Sequence, residues 1–101
     1  MALVAVDSED LIVDATSGGV SLTSAKATAS RNVRAHCVVE TAQIRVKTDA
    51  AVTLTASAKG HVKDVGDEFY ISGQPDLVSF RAIRTGGTSG KLVVTYEGAG
   101  A

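Results

Sequence analysis

Tryptophan is missing from this 101-residue chain, cysteine, proline and methionine occur once each, and aromatic residues number four. Each shortage narrows the possibilities. A lone cysteine, Cys37, excludes an intrachain disulfide. Without aromatic bulk the core has to come from valine, leucine, isoleucine and alanine, each large buried side chain contributing about 1.5–3 kcal/mol. So thin a core leads to an expectation of further burial against a neighbouring chain, as in a homo-oligomer. No apolar run reaches the length of a signal-peptide core or a spanning helix, so the expected product is a soluble cytoplasmic chain with no membrane partner. Ten basic residues against eleven acidic ones leave a net charge of -1 with no block of like charge, and nucleic acid is not an expected partner.

What the chain does have is a succession of short alternating segments. In residues 33–40, Val33, Ala35, Cys37 and Val39 share one face and Arg34, His36, Val38 and Glu40 the other. Residues 44–48 alternate in the same way, with Arg45 and Lys47 on the solvent side, and 52–56 set threonines against aliphatics after a turn at 49–51. Shorter extended pieces are expected at 11–13, 20–23, 61–65 and 68–72, and residues 24–32, small and polar, read as a loop. Ser17-Gly18-Gly19, Gly66-Asp67 and Gly73-Gln74-Pro75-Asp76 carry turn chemistry. The apolar runs 77–84 and 91–97, joined by Thr85-Gly86-Gly87-Thr88-Ser89-Gly90, read as a β-hairpin with a longer loop; they hold Phe80 and Tyr96, so the core is expected to form around them. About seven to nine strands at roughly 8–12-residue spacing predict an all-β fold, an antiparallel two-sheet sandwich of jelly-roll-like or Ig-like kind, with a barrel as second choice. Residues 1–10 would be an N-terminal arm or edge strand and 11–101 a single sandwich domain.

No constellation for catalysis, cofactor or metal emerges. The Gly86–Lys91 stretch ends in Gly-Lys, yet it has the wrong spacing for a phosphate loop, lacks a following Ser or Thr and precedes a strand. His36 and Cys37 are adjacent, hence on opposite faces of a strand, and cannot act as base and nucleophile together. Asp64, Asp67, Glu68 and Asp76 lie in turn-forming contexts without a calcium-loop pattern. Tyr70, opposite Phe69 and Ile71 in its strand, is the one aromatic that could serve a sugar-binding module as a platform. Arg81 and Arg84 fall on opposite faces of their strand. One of them must therefore sit on the inward face or its rim, either snorkelling to solvent or pairing with a carboxylate such as Glu40 or Glu97.

Laid out as strands, Ala35-His36-Cys37-Val38-Val39-Glu40, Ile44-Arg45-Val46, residues 53–56, Gly60-His61, Gly66-Asp67, Phe80-Arg81-Ala82-Ile83-Arg84 and Lys91-Leu92-Val93-Val94-Thr95-Tyr96 resemble a family of short proteins encoded in the structural-gene clusters of tailed bacteriophages. The similarity covers about residues 11–97. Where members commonly carry an Asp-Gly-Thr-x-Pro-Thr turn, this chain reads Thr48-Asp49-Ala50-Ala51-Val52-Thr53. The resemblance implies a non-enzymatic virion protein, made in the host cytoplasm, that binds the major capsid protein or other virion subunits. A head decoration or cement protein is the first expectation, a tail, collar or fibre component the second, and a carbohydrate-binding attachment module a third of another class. Arms and loops carry recognition on a rigid sandwich. With the strand arginines added, the expected interface comprises Leu3, Val4, Val6, Asp7, Arg31, Arg34, Arg81 and Arg84. Deletion of residues 1–10 would then weaken particle binding and leave the fold intact.

Overall fold

A computed structural model of the chain describes residues 3–49, 54–55 and 60–99. Its strands are β1 (Leu3–Val13), β2 (Arg34–Glu40), β3 (Ile44–Lys47), β4 (His61–Lys63), β5 (Glu68–Ser72), β6 (Arg81–Arg84) and β7 (Gly90–Ala99), and two short helices, α1 (Ser24–Ala27) and α2 (Gln74–Ser79), lie between them. The strands form a four-stranded sheet, β1-β7-β2-β5, and a three-stranded sheet, β4-β3-β6, every pairing antiparallel. The two sheets pack together without closing into a barrel, as the strand spacing predicts for a sandwich.

Alternation places the core. Ala35, Cys37 and Val39 of β2, Leu92, Val94 and Tyr96 of β7, Val13 of β1 and Ile71 of β5 are buried together with Ile44 and Val46 of β3 and Ala82 of β6. Leu22, Ala27, Leu77 and Phe80, from the helices and their flanks, join the same cluster. Val33, expected beside Ala35, precedes β2 and stays exposed.

Several local expectations are corrected. Residues 77–84 do not form one strand: α2 takes 74–79 and only Arg81–Arg84 is extended. The reason was in the turn chemistry, since Pro75 in the first turn and Asp76 beside it suit a helix N-terminus. Nor do 77–84 and 91–97 make a hairpin. β6 pairs with β3, whereas β7 pairs with β1 and β2, so residues 85–89 carry the chain from one sheet to the other. Gly90 permits that crossing, because a Cβ there would lie 2.5 Å from Ile44 Cγ2 and 2.9 Å from the Ala42 carbonyl oxygen. Part of the expected loop 24–32 is α1, and Asn32 closes the segment by donating its side-chain amide to the Lys26 carbonyl at 2.8 Å. β1 runs through the acidic cluster 7–10 into 11–13 as one edge strand. Of residues 20–23, Val20 alone bridges, to Ala82. The expected strand 52–56 lies outside the described residues except at 54–55, where Leu54 is buried and bridges Gly18.

Cys37 behaves as a small hydrophobe. Burial, followed by the negative charge of Glu9, pushes its thiol up from 9.0 to about 12. The folded state therefore keeps a proton that the unfolded chain releases in its ordinary thiol range. Stability from this group is fully present below pH 9 and is lost as pH rises toward 12. Denaturant titrations between those limits should show a falling midpoint for the wild type and a flatter profile for Cys37→Ala up to the range where tyrosine ionises.

Candidate functional site: the open face of the four-stranded sheet

While one face of the four-stranded sheet is sealed in the core, among the described residues nothing buried lies on the other. The register builds that outer face row by row. Asp10 of β1 lies opposite Val93 of β7, Val93 opposite Val38 of β2, and Val38 opposite Glu68 of β5. One row along, Ser8, Thr95, His36 and Tyr70 are aligned; in the other direction come Ile12, Lys91 and Glu40. Beyond Tyr70, Arg34 is flanked by Glu97 and Ser72. The face is thus a valine pair in the middle strands with polar and charged side chains around it.

Its basic side chains are tied down. Arg34 pairs with Glu97 at 2.6 Å and lays its guanidinium over the Tyr70 ring, 4.6 Å from the centroid. His36 contacts Glu68 at 2.8 Å and its ring stands 4.9 Å from that of Tyr70. Lys91 lies between Asp10 at 3.5 Å and Glu40 at 3.8 Å. Tyr70 itself is 56% exposed, as is Ile12 at the far corner to a similar degree.

A second polar cluster holds β1 to the body of the sandwich. Val6 is the extra residue of a bulge between Ala5 and Asp7, and Arg31 donates to its carbonyl at 2.7 Å. Lys26 bonds Asp7 at 2.8 Å; that contact, followed by the Ser8 N–H, holds the Asp7 carboxyl below its usual value. Glu9 accepts from the hydroxyl of Thr23 at 2.7 Å, from its N–H at 3.2 Å, and from the hydroxyl of Tyr96. Burial and then the Glu9 hydrogen bond raise the Tyr96 phenol well above its ordinary range. Tyr96→Phe should cost about 1–2 kcal/mol in equilibrium unfolding while leaving the secondary structure unchanged, because two donors from Thr23 still satisfy Glu9.

The residues expected at an interface are therefore not one patch. Val6, Asp7 and Arg31 meet at the bulge, with Leu3 and Val4 just before it in β1. Arg34 belongs to the open face. Arg81 and Arg84 sit half-buried on the other sheet, and neither reaches Glu40 or Glu97: Arg81 donates to the carbonyls of Val78 at 3.0 Å and Phe80 at 2.7 Å, capping α2, and Arg84 reaches Ser89 at 3.4 Å. Glu97 is instead taken by Arg34, and Glu40 by Lys91. Of this face, Asp10, Glu68, Lys91, Val38 and Val93 were not among the residues that the sequence pointed to as an interface. Their outward alternation was readable strand by strand, but which strands adjoin was not.

Elsewhere the described residues also form shallow features. A notch of about 150 Å³ is lined by Leu22, Ala27, Val78 and Arg81, with Ser21, Ser24 and Thr28 at its sides. Among the described residues no three His, Cys, Asp or Glu side chains gather as metal ligands. Comparison with protein-family models, with curated proteins and with solved structures finds no match to this chain.

Proposed function

We propose that this chain is a non-enzymatic structural protein of a tailed-phage particle, docking on the assembled head as a decoration or cement protein in contact with major capsid subunits. The open four-stranded face is the observation that carries this reading, together with the family resemblance of the strand succession. It is a continuous surface with an apolar centre and a charged surround, the arrangement that meets another protein surface. Its side chains are already held by one another, so little rotamer freedom remains to be lost on contact. A protein that binds only the assembled shell stabilises that state by mass action, and the effect multiplies over a lattice of sites.

The exposure of Tyr70 favours a second reading as a sugar-binding module. Against it, the ring already carries Arg34 and adjoins His36, so a sugar stacking there has to compete with a charged group. Quantitative mass spectrometry of purified particles tests the first reading. About one copy per capsid subunit, or per few subunits, supports head decoration through many weak sites. Some tens of copies would move the chain to the tail, collar or fibre, and its absence from particles would defeat the virion reading.

A further inference from the structure

We infer that the open face docks on a cationic protein surface, one that presents lysine or arginine side chains on both flanks of an apolar contact to Val38 and Val93. This inference rests on the docking reading above and names the chemistry of the partner. The observation behind it is an asymmetry that the near-zero net charge conceals. Three carboxylates of the face reach into solvent, with side-chain exposures of 61% for Asp10, 52% for Glu40 and 63% for Glu68. The basic side chains beside them are sunk: Arg34 and Lys91 are 35% exposed and His36 27%. An approaching surface therefore meets carboxylates first.

Their placement sets the geometry of the partner. Asp10 and Glu68 end the same row, on the two edge strands, with the valine pair between them. Three inter-strand steps separate them, so the two carboxylates stand about 14 Å apart. Glu40 lies one row along on β2, between the strands of Lys91 and Glu68, and shares the single ammonium of Lys91 with Asp10. One cation between two carboxylates leaves that three-strand group with a net negative charge. Partner cations placed there and beside Glu68 would complete both ends, while the valines supply the desolvated centre that a stable contact needs.

A second copy of this chain is a poor occupant. Stacking the face on itself with the two rows aligned, about a two-fold axis along or across the Asp10–Glu68 row, sets each carboxylate end against a carboxylate end, a like-charge contact that opposes association. The interior hydrogen bonds of the face act in the same direction as the charge argument. Arg34, pinned by Glu97 and Tyr70, is not available to swing out and neutralise the acidic flanks.

The test uses shells of the encoding phage prepared without this chain, to which the purified wild-type protein and variants are added back. Bound protein is measured at about 0.05 M and about 0.3 M salt, concentrations that bracket a large change in screening length. Expected is saturable binding of the wild type that weakens as salt rises. Asp10→Lys combined with Glu68→Lys should bind about tenfold or more weakly. The control Val78→Lys, on α2 at an exposed position away from this face, should bind as the wild type does. Thermal unfolding of each variant establishes that it is folded, and Asp10→Gln with Glu68→Gln, which removes charge without reversing it, serves if the lysine pair unfolds. Wild-type binding that ignores salt and survives either double substitution would overturn the cationic partner and leave the docking reading standing. Failure of the wild type to bind any shell would overturn both.

Discussion

Deleting residues 1–10 should unfold the domain, costing more than about 5 kcal/mol and thus most of the stability expected for a chain of this size. The sequence suggested an arm or edge strand there whose loss would leave the fold intact, but those residues are most of β1, an edge strand that pairs with β7 from Leu3 to Val13. Their loss turns β7 into an edge strand and uncovers the ring of Tyr96, which is fully buried. It also strands groups that β1 satisfies, among them Thr23 and Tyr96, which lose Glu9, Lys26, which loses Asp7, and Arg31, which loses the Val6 carbonyl. Circular dichroism and urea titration of the truncated chain measure the effect directly. A cooperative transition at the wild-type midpoint would mean that β1 adds nothing before Leu11.

The substitution with the next largest expected effect is Gly98→Ala, at about 3 kcal/mol or more. Gly98 lies opposite Val4 in the β1–β7 ladder, and a Cβ built on it would stand 1.9 Å from the carbonyl oxygen of Arg31 and 3.1 Å from its carbonyl carbon. Backbone cannot rotate away as a side chain can. Relief has to come from moving the 28–32 segment off β7, which draws Arg31 from the bulge at Val6 and disturbs Asn32, buried two bonds further on. Gly86→Ala is the matched control. Nothing lies within 4 Å of its Cβ position, so its stability should stay within about 0.5 kcal/mol of the wild type. Equal midpoints for the two variants in chemical unfolding would remove the close approach at Gly98 as a determinant of the fold.

The candidate site was half legible. Alternation in residues 34–40 marks Arg34, His36, Val38 and Glu40 as outward companions of a buried Ala35, Cys37 and Val39, and burial follows that pattern. Tyr70 was likewise placed outward. Nothing in the sequence, however, brings Glu68 and Asp10 to the two ends of one row, because their strands are separated from each other by β7 and β2 in space and by 58 positions in sequence. Similarly, Glu97 and Glu40, offered as possible partners for a rim arginine at Arg81 or Arg84, are held by Arg34 and Lys91, cations on their own face.

What the sequence determined by itself is local. A period of two in short β-branched segments makes strands and decides which side of each is buried, since apolar area removed from water is the main favourable term. Glycines at Gly18, Gly19 and Gly66, all with positive φ, bend the chain where turn chemistry predicts. What only the tertiary structure decided is how those strands are dealt between two sheets. A glycine-rich connection such as 85–89 serves a hairpin or a crossing equally well, and its own residues carry no preference. The choice falls to long-range packing: β7 buries Leu92, Val94 and Tyr96 between β1 and β2, while β6 buries Ala82 beside Val46 on the opposite layer. That division leaves one face of the larger sheet uncovered, and so creates the surface on which the proposed docking depends.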